Sequence, residues 1–109
     1  MLNQVILVGR LTKDLEVKEL EDGRARGILT LAIPRSYKNA EGEYETDFVE
    51  CIVWDSIAKN TNEYCKQGDI IGVKGRLETV NNDDKYITNI IAEKVTFLSS
   101  RKANENEDK

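Results

Sequence analysis

At 109 residues, with 39% hydrophobic and 33% charged content, the chain has material for one domain and a single core. Its net charge is −4, and histidine is absent, which removes the usual general base, the Ser-His and Cys-His nucleophile pairs and the commonest zinc ligand. No apolar run approaches the ~20 residues needed to cross a bilayer, and MLNQVILVGR has neither a basic stretch before its short apolar centre nor a cleavage pattern after it, so a cytoplasmic location is expected.

Residues 3–11 read as a strand that is apolar on both faces, with Val5, Leu7, Gly9 and Leu11 on one side and Ile6 and Val8 on the other. A strand in a half-solvated antiparallel sheet alternates instead. A second copy of the chain is the expected cover for the spare face, and a doubly buried internal strand is the alternative. Residues 16–20 form a weak strand closed by Asp22-Gly23, a strong hairpin signal. Residues 24–37 form a long strand with Leu29, Leu31 and Ile33 on one face. The polar tip RSYKNAEGEYETD, with Asn39 and Gly42 as turn residues, leads back into a strand over 48–54.

The period then changes. In SIAKNTNEYCKQG, Ile57, Thr61, Tyr64 and Cys65 fall at i, i+4, i+7 and i+8, so Tyr64 is expected on the apolar face of a short helix. Asp55 or Ser56 suits its N-cap and Gly68 its C′ position. Strands over 69–78 and 86–98 follow, joined by a turn at 81–84, with Tyr86 structural and Phe97 in the core. Residues 99–109, SSRKANENEDK, read as a disordered polar tail. Cys51 and Cys65 have no metal spacing and read as buried reduced thiols.

Three strands in a meander, one helix and a two-stranded hairpin match an all-β fold with one short helix, the five-stranded Greek-key OB barrel, over residues 1–98. That fold gives its binding face to the strands at 24–37 and 48–54. In DFVECIVW, period two puts Val49, Cys51 and Val53 on the core face and Phe48, Glu50, Ile52 and Trp54 on the other. Two large rings thus share an outer face with a glutamate. Such rings are either stacking platforms for unpaired bases or cross-strand and interface packing partners.

Charge is segregated. Residues 14–22 carry five carboxylates and one lysine, and residues 41–55 carry six carboxylates and no base. Between them, 23–40 has no acid, and Arg24, Arg26, Arg35 and Lys38 supply four positive charges. A second acid-free run, 70–77, carries Lys74 and Arg76. This distribution allows a basic stripe beside the rings of an acidic body, suited to phosphates. An enzyme built on Glu43, Glu45, Asp47 and Glu50 is not expected, since hairpin carboxylates are usually solvated and no metal geometry is evident.

NQVILVGRLTKDLEVKEL, followed by ILTLAIPRSYKNAEGEYETDFVECIVWDSIAKNTNEYCKQGDIIGVKGRL, resembles the bacterial single-stranded DNA-binding protein family across residues 2–98. The resemblance implies an OB fold, sequence-tolerant binding of single-stranded DNA in replication, recombination or repair, and neither catalysis nor cofactor. It also implies a homo-oligomer, a tetramer ahead of a dimer, joined through the first strand at Val5 to Val8. Carried over by position, Tyr37, Phe48 and Trp54 stand where the family has stacking aromatics, and Arg10, Arg35, Lys38, Lys74 and Arg76 are the basic candidates. Three departures are visible. LETVNNDDKY has no ring before Tyr86, Leu15 replaces the proline of a D-P-E motif, and NENEDK lacks the hydrophobic tip through which the family recruits other proteins, so tail-mediated recruitment is not expected. The other reading is an assembly factor resembling primosome protein B, an OB-fold dimer of replication restart.

Overall fold

The structure is a computed structural model that describes residues 1–99. In chain order the elements are β1 (Val5–Leu11), β2 (Glu16–Glu19), β3 (Ala25–Lys38), β4 (Tyr44–Trp54), α1 (Asp55–Tyr64), β5 (Ile70–Asn82) and β6 (Lys85–Ser99). The sheet order is β1-β5-β6-β4-β3-β2, and an additional β1–β3 pairing closes five of the strands into a barrel with β2 outside, on the β3 edge. This is the five-stranded barrel that the strand pattern predicts.

Alternation builds the core. Leu29 and Leu31 of β3, Cys51 and Val53 of β4, and Ile71 and Val73 of β5 point inward and are essentially sealed, joined by Leu11. Ala58 and Thr61 of α1 and the following Cys65 are buried with them, so the helix closes one end. Both thiols are free and buried, and desolvation pushes Cys51 up to about 11.

The barrel is fastened unevenly. Antiparallel ladders along β3–β4 and β5–β6 are long, whereas β1–β3 is registered only at Arg10–Ala32 and Leu11–Leu31, and the parallel β4–β6 join only at Cys51–Ile90 and Ile52–Ile91. Beyond the barrel, β3–β4 and β5–β6 run on as two hairpin arms.

Several local expectations change. β4 begins at Tyr44, four residues before the expected 48, and β5 runs to Asn82 because the turn is only Asp83-Asp84. Both aspartates take positive φ, 51° and 65°, the left-handed pair that a two-residue hairpin turn requires and that aspartate tolerates. Neither Asp55 nor Ser56 caps α1. Trp54 occupies the N-cap position with no side-chain cap, and Asp55 Oδ1 instead accepts the Ala25 N–H at 3.0 Å. The helix ends at Cys65 rather than at Gly68, which lies in the next turn and donates its N–H to the Leu11 carbonyl.

Phe97 and Tyr64 are not core residues. Phe97 is 49% and Tyr64 68% exposed, because they border a shallow groove between α1 and the end of β6 that no other described element covers. The polar tail expected from residue 99 lies, beyond Ser99, outside the described residues.

Candidate nucleic-acid interface

Register turns the outer wall of β3 and β4 into rows. Arg26 pairs Trp54, Ile28 pairs Ile52, Thr30 pairs Glu50 and Ala32 pairs Phe48. β2 extends the first row, since Lys18 pairs Arg26, and β1 extends the last, since Arg10 pairs Ala32. The Ile28–Ile52 row continues through Ile91 to Arg76.

The two end rows thus read Lys18–Arg26–Trp54 and Arg10–Ala32–Phe48, the first a ring beside two basic side chains and the second a ring with one, Arg10, two strands away. Between them, Ile52 is buried although it faces outward, flanked by Ile28 on β3 and Ile91 on β6. Phe48 is 69% exposed and Trp54 half-buried, and neither belongs to the core cluster.

Trp54 is already in contact with cations. The Arg24 guanidinium lies 4.0 Å from the indole centroid and that of Arg26 lies 5.9 Å away, an arrangement in which the ring's negative face meets positive charge. Arg24 also stands 3.7 Å from Asp55. Beside this row, Lys13, Lys18, Arg26, Glu16 and Glu50 line a cavity of about 210 Å³ floored by Leu20 and Ile28. On the Phe48 side, a groove of about 500 Å³ runs between β4 and β6, lined by Thr30, Glu50, Thr88 and Asn89.

The remaining expected residues are dispersed. Tyr37 is exposed on the β3–β4 arm, where Lys38 lies 5.8 Å over the Tyr44 ring. Arg35 is engaged within the chain. Its Nε and Nη2 hold Asp47 at 3.1 and 2.9 Å, and Nη1 takes Glu45. The Arg35 hydrogen bond and charge hold the Asp47 carboxyl below its usual range. Arg76 pairs with Glu78 at 3.0 Å and approaches Glu93 at 3.9 Å. Arg10 donates from Nη1 to the Gly68 carbonyl at 2.7 Å. Lys74 stands on a different wall, opposite Ile6 of β1 and Lys94 of β6.

Arg24, Arg26, Lys18 and Tyr86 were absent from the expected site. Two signals pointed to the arginines, the acid-free run that carries them and their place beside Trp54's strand, but their match to the ring needs the β3–β4 register. Tyr86 is 73% exposed next to the β5–β6 turn, so a ring does lie on that arm, after the turn rather than before it. Among the described residues no group of three or more Cys, Asp or Glu is placed to hold a metal ion.

Residues 2–98 match the family described as the single-strand binding protein family. The chain belongs to the single-strand binding protein family. It is 47% identical over 106 residues to single-stranded DNA-binding protein 3 of Listeria innocua, covering 93% of this chain and 66% of that protein. It is 42% identical to single-stranded DNA-binding protein B of Bacillus subtilis, covering 93% of this chain and 94% of that one. Among solved structures, a deletion mutant of the single-stranded DNA binding protein from Thermus aquaticus superposes with a TM-score of 0.76 at 25% identity, over 92% of this chain and 52% of the other. The chain therefore spans about two thirds of the Listeria relative, nearly all of the Bacillus one and about half of the Thermus one.

Proposed function

We propose that this chain binds single-stranded DNA without requiring a particular sequence and without catalysis, in replication, recombination or repair in the cytoplasm. The observation that carries the reading is the Lys18–Arg26–Trp54 row with Arg24 against the indole, sharing one outer face with the exposed Phe48. Unpaired bases present π-faces, and each base stacked on a ring contributes ~1–3 kcal/mol whatever its identity. Arg10, Lys18, Arg24 and Arg26 then track the phosphates, with Lys38, Tyr37 and Tyr86 extending the track along the two arms. Arg35 and Arg76 contribute less to the phosphates than their charge suggests, because carboxylates already occupy their donors. Family membership and the names of the relatives support this reading over that of an assembly factor.

Titrating the protein with single-stranded oligonucleotides and following Trp54 fluorescence tests it. Quenching that weakens steeply with added salt is expected. No quenching, or binding indifferent to salt, rejects it.

The outer face of β1 supports self-association as part of the same proposal. Ile6 is 69%, Val8 52% and Leu98 51% exposed, and Val8 and Leu98 both border the bare backbone of Gly72, forming an apolar patch that a second copy would cover. Val8→Asp should reduce the mass in solution to that of a monomer or a smaller oligomer, measured by light scattering.

A further inference from the structure

Trp54 and Phe48 share a face but are not presented alike. Phe48 is 69% exposed, whereas Trp54 is half-buried with the Arg24 guanidinium 4.0 Å from its centroid. Groups in van der Waals contact lie about 3.5–4.0 Å apart, so that face of the indole has no room for a base while Arg24 is on it. The guanidinium is loosely held otherwise. It makes no hydrogen bond among the described residues, and its charge partner there is Asp55, whose Oδ2 lies 3.7 Å from Nε.

Asp55 is fixed more firmly than its exposed position suggests. It takes φ 51°, in the left-handed region that aspartate tolerates, and its Oδ1 accepts the Ala25 N–H at 3.0 Å. A helix dipole favours an acid in the first turn, but this carboxylate turns back towards the start of β3. The backbone of Arg24 is tied as well. Its N–H donates to the Asp22 Oδ1 at 3.0 Å, and its carbonyl accepts the Leu20 N–H at 2.7 Å. Of the whole contact, only the Arg24 side chain is left free to move.

We infer that Arg24 is a displaceable cover on Trp54, latched by Asp55, and that a nucleotide settling there exchanges both contacts at once: its base takes the indole face and its phosphate takes the guanidinium. This rests on the reading of the face as a single-stranded DNA site. A phosphate offers the guanidinium paired, charge-assisted hydrogen bonds that the 3.7 Å approach to Asp55 does not make, and the base replaces a cation on the ring. Exposed cation–π contacts and exposed ion pairs are both weak, so the cover shields the ring in the empty protein yet yields to a strand. Asp55 is therefore a positioning residue that acts on binding through Arg24, and its effect is to lower affinity.

The test is a double-mutant cycle. A dT oligonucleotide is titrated at fixed salt into the wild-type chain, Asp55→Asn, Arg24→Ala and the double variant. Asparagine keeps an acceptor for the Ala25 N–H and tolerates the left-handed backbone, so the charge alone is lost. Asp55→Asn should bind about threefold more tightly than the wild-type chain, the scale of one exposed ion pair. In the free protein it should also make the sole tryptophan more readily quenched by acrylamide. In the Arg24→Ala background the same substitution should change affinity and quenching little. Asp55→Gly, which suits φ 51° without strain, should repeat the tightening and replaces Asp55→Asn in the cycle if that variant melts early.

Unchanged or weaker binding by the Asp55 variants overturns the inference, since Asp55 then serves the fold or preorganises Arg24. Equal tightening in the wild-type and Arg24→Ala backgrounds also overturns it, because that assigns Asp55 to direct repulsion of phosphate. If the wild-type chain and every variant fail to bind, the single-stranded DNA reading itself has failed. Binding without coupling between residues 24 and 55 leaves that reading standing and removes only the latch.

Discussion

Arg35 grips Asp47 through Nε and Nη2 while its Nη1 holds Glu45, and it does so where β3 and β4 lose register between the Pro34–Thr46 and Lys38–Tyr44 pairs. Three residues of β3 there face one of β4, and Pro34 has no N–H to donate. The ion cluster thus spans an interruption in the backbone ladder, at the root of the arm that carries Tyr37 and Tyr44.

The salt dependence of binding follows from this engagement. Arg35→Ala should leave the slope of log affinity against log salt almost unchanged, because its charge is already neutralised. Arg26→Ala should flatten the slope by about 0.7, the value of one phosphate contact on a single strand. Asp47→Asn should steepen it by freeing donors of Arg35. Titrations at four salt concentrations check all three, and a flattening by Arg35→Ala equal to that of Arg26→Ala makes Arg35 a phosphate contact.

The pH dependence has a definite sign. The Asp47 carboxyl is held below its ordinary value of 3.8, chiefly by the hydrogen bond from Arg35. A depressed carboxylate contributes stability that is present above its unfolded value and lost as pH falls through the folded one. The cluster should therefore hold from neutrality down to about pH 4 and weaken only below that. Thermal unfolding of the wild-type chain and Asp47→Asn should show a gap that is constant between pH 5 and 7 and closes towards pH 2.

Ring substitutions separate stacking from packing. Trp54→Ala and Phe48→Ala should each weaken binding roughly 5- to 150-fold for every oligonucleotide, the equivalent of one lost stacking contact. Melting temperature should change little for Phe48, which is 69% exposed. A large loss of melting temperature in Phe48→Ala would make the ring a structural element.

Two glycines of β5 should respond differently to alanine. A Cβ at Gly75 would lie 2.1 Å from the Ile91 carbonyl oxygen, at the register shift between β5 and β6 where backbone cannot yield. Gly75→Ala should cost ~1–3 kcal/mol or more, lowering Tm by roughly 4–8 °C for each kcal/mol. At Gly72 the nearest atom is the Leu98 Cδ1 at 3.6 Å, an ordinary contact. Gly72→Ala should melt close to the wild-type chain.

Much of this architecture was legible from period two alone. Alternation in DFVECIVW placed Cys51 and Val53 inside and Phe48 outside, and the double apolarity of 5–8 anticipated the exposed Ile6 and Val8. What alternation cannot give is which residue stands opposite which. Arg26 faces Trp54, and Arg10 joins the Phe48 row, only through pairings between strands distant in sequence. Arg35's loss of free donors depends on a register shift with no sequence signature beyond Pro34. Phe97 misled because an apolar residue on a long strand was expected to face the core, and nothing local shows that β6 passes the helix end before it.

The two shortest joins of the barrel, β1–β3 and β4–β6, both lie under the proposed face: Arg10 and Ala32 border one, Ile52 and Ile91 the other. Short ladders breathe most readily. A ligand laid across these rows would act as stitching, so occupancy should slow hydrogen–deuterium exchange at those amides more than along the long hairpins, and a protein loosened at its seams would become firmer when loaded.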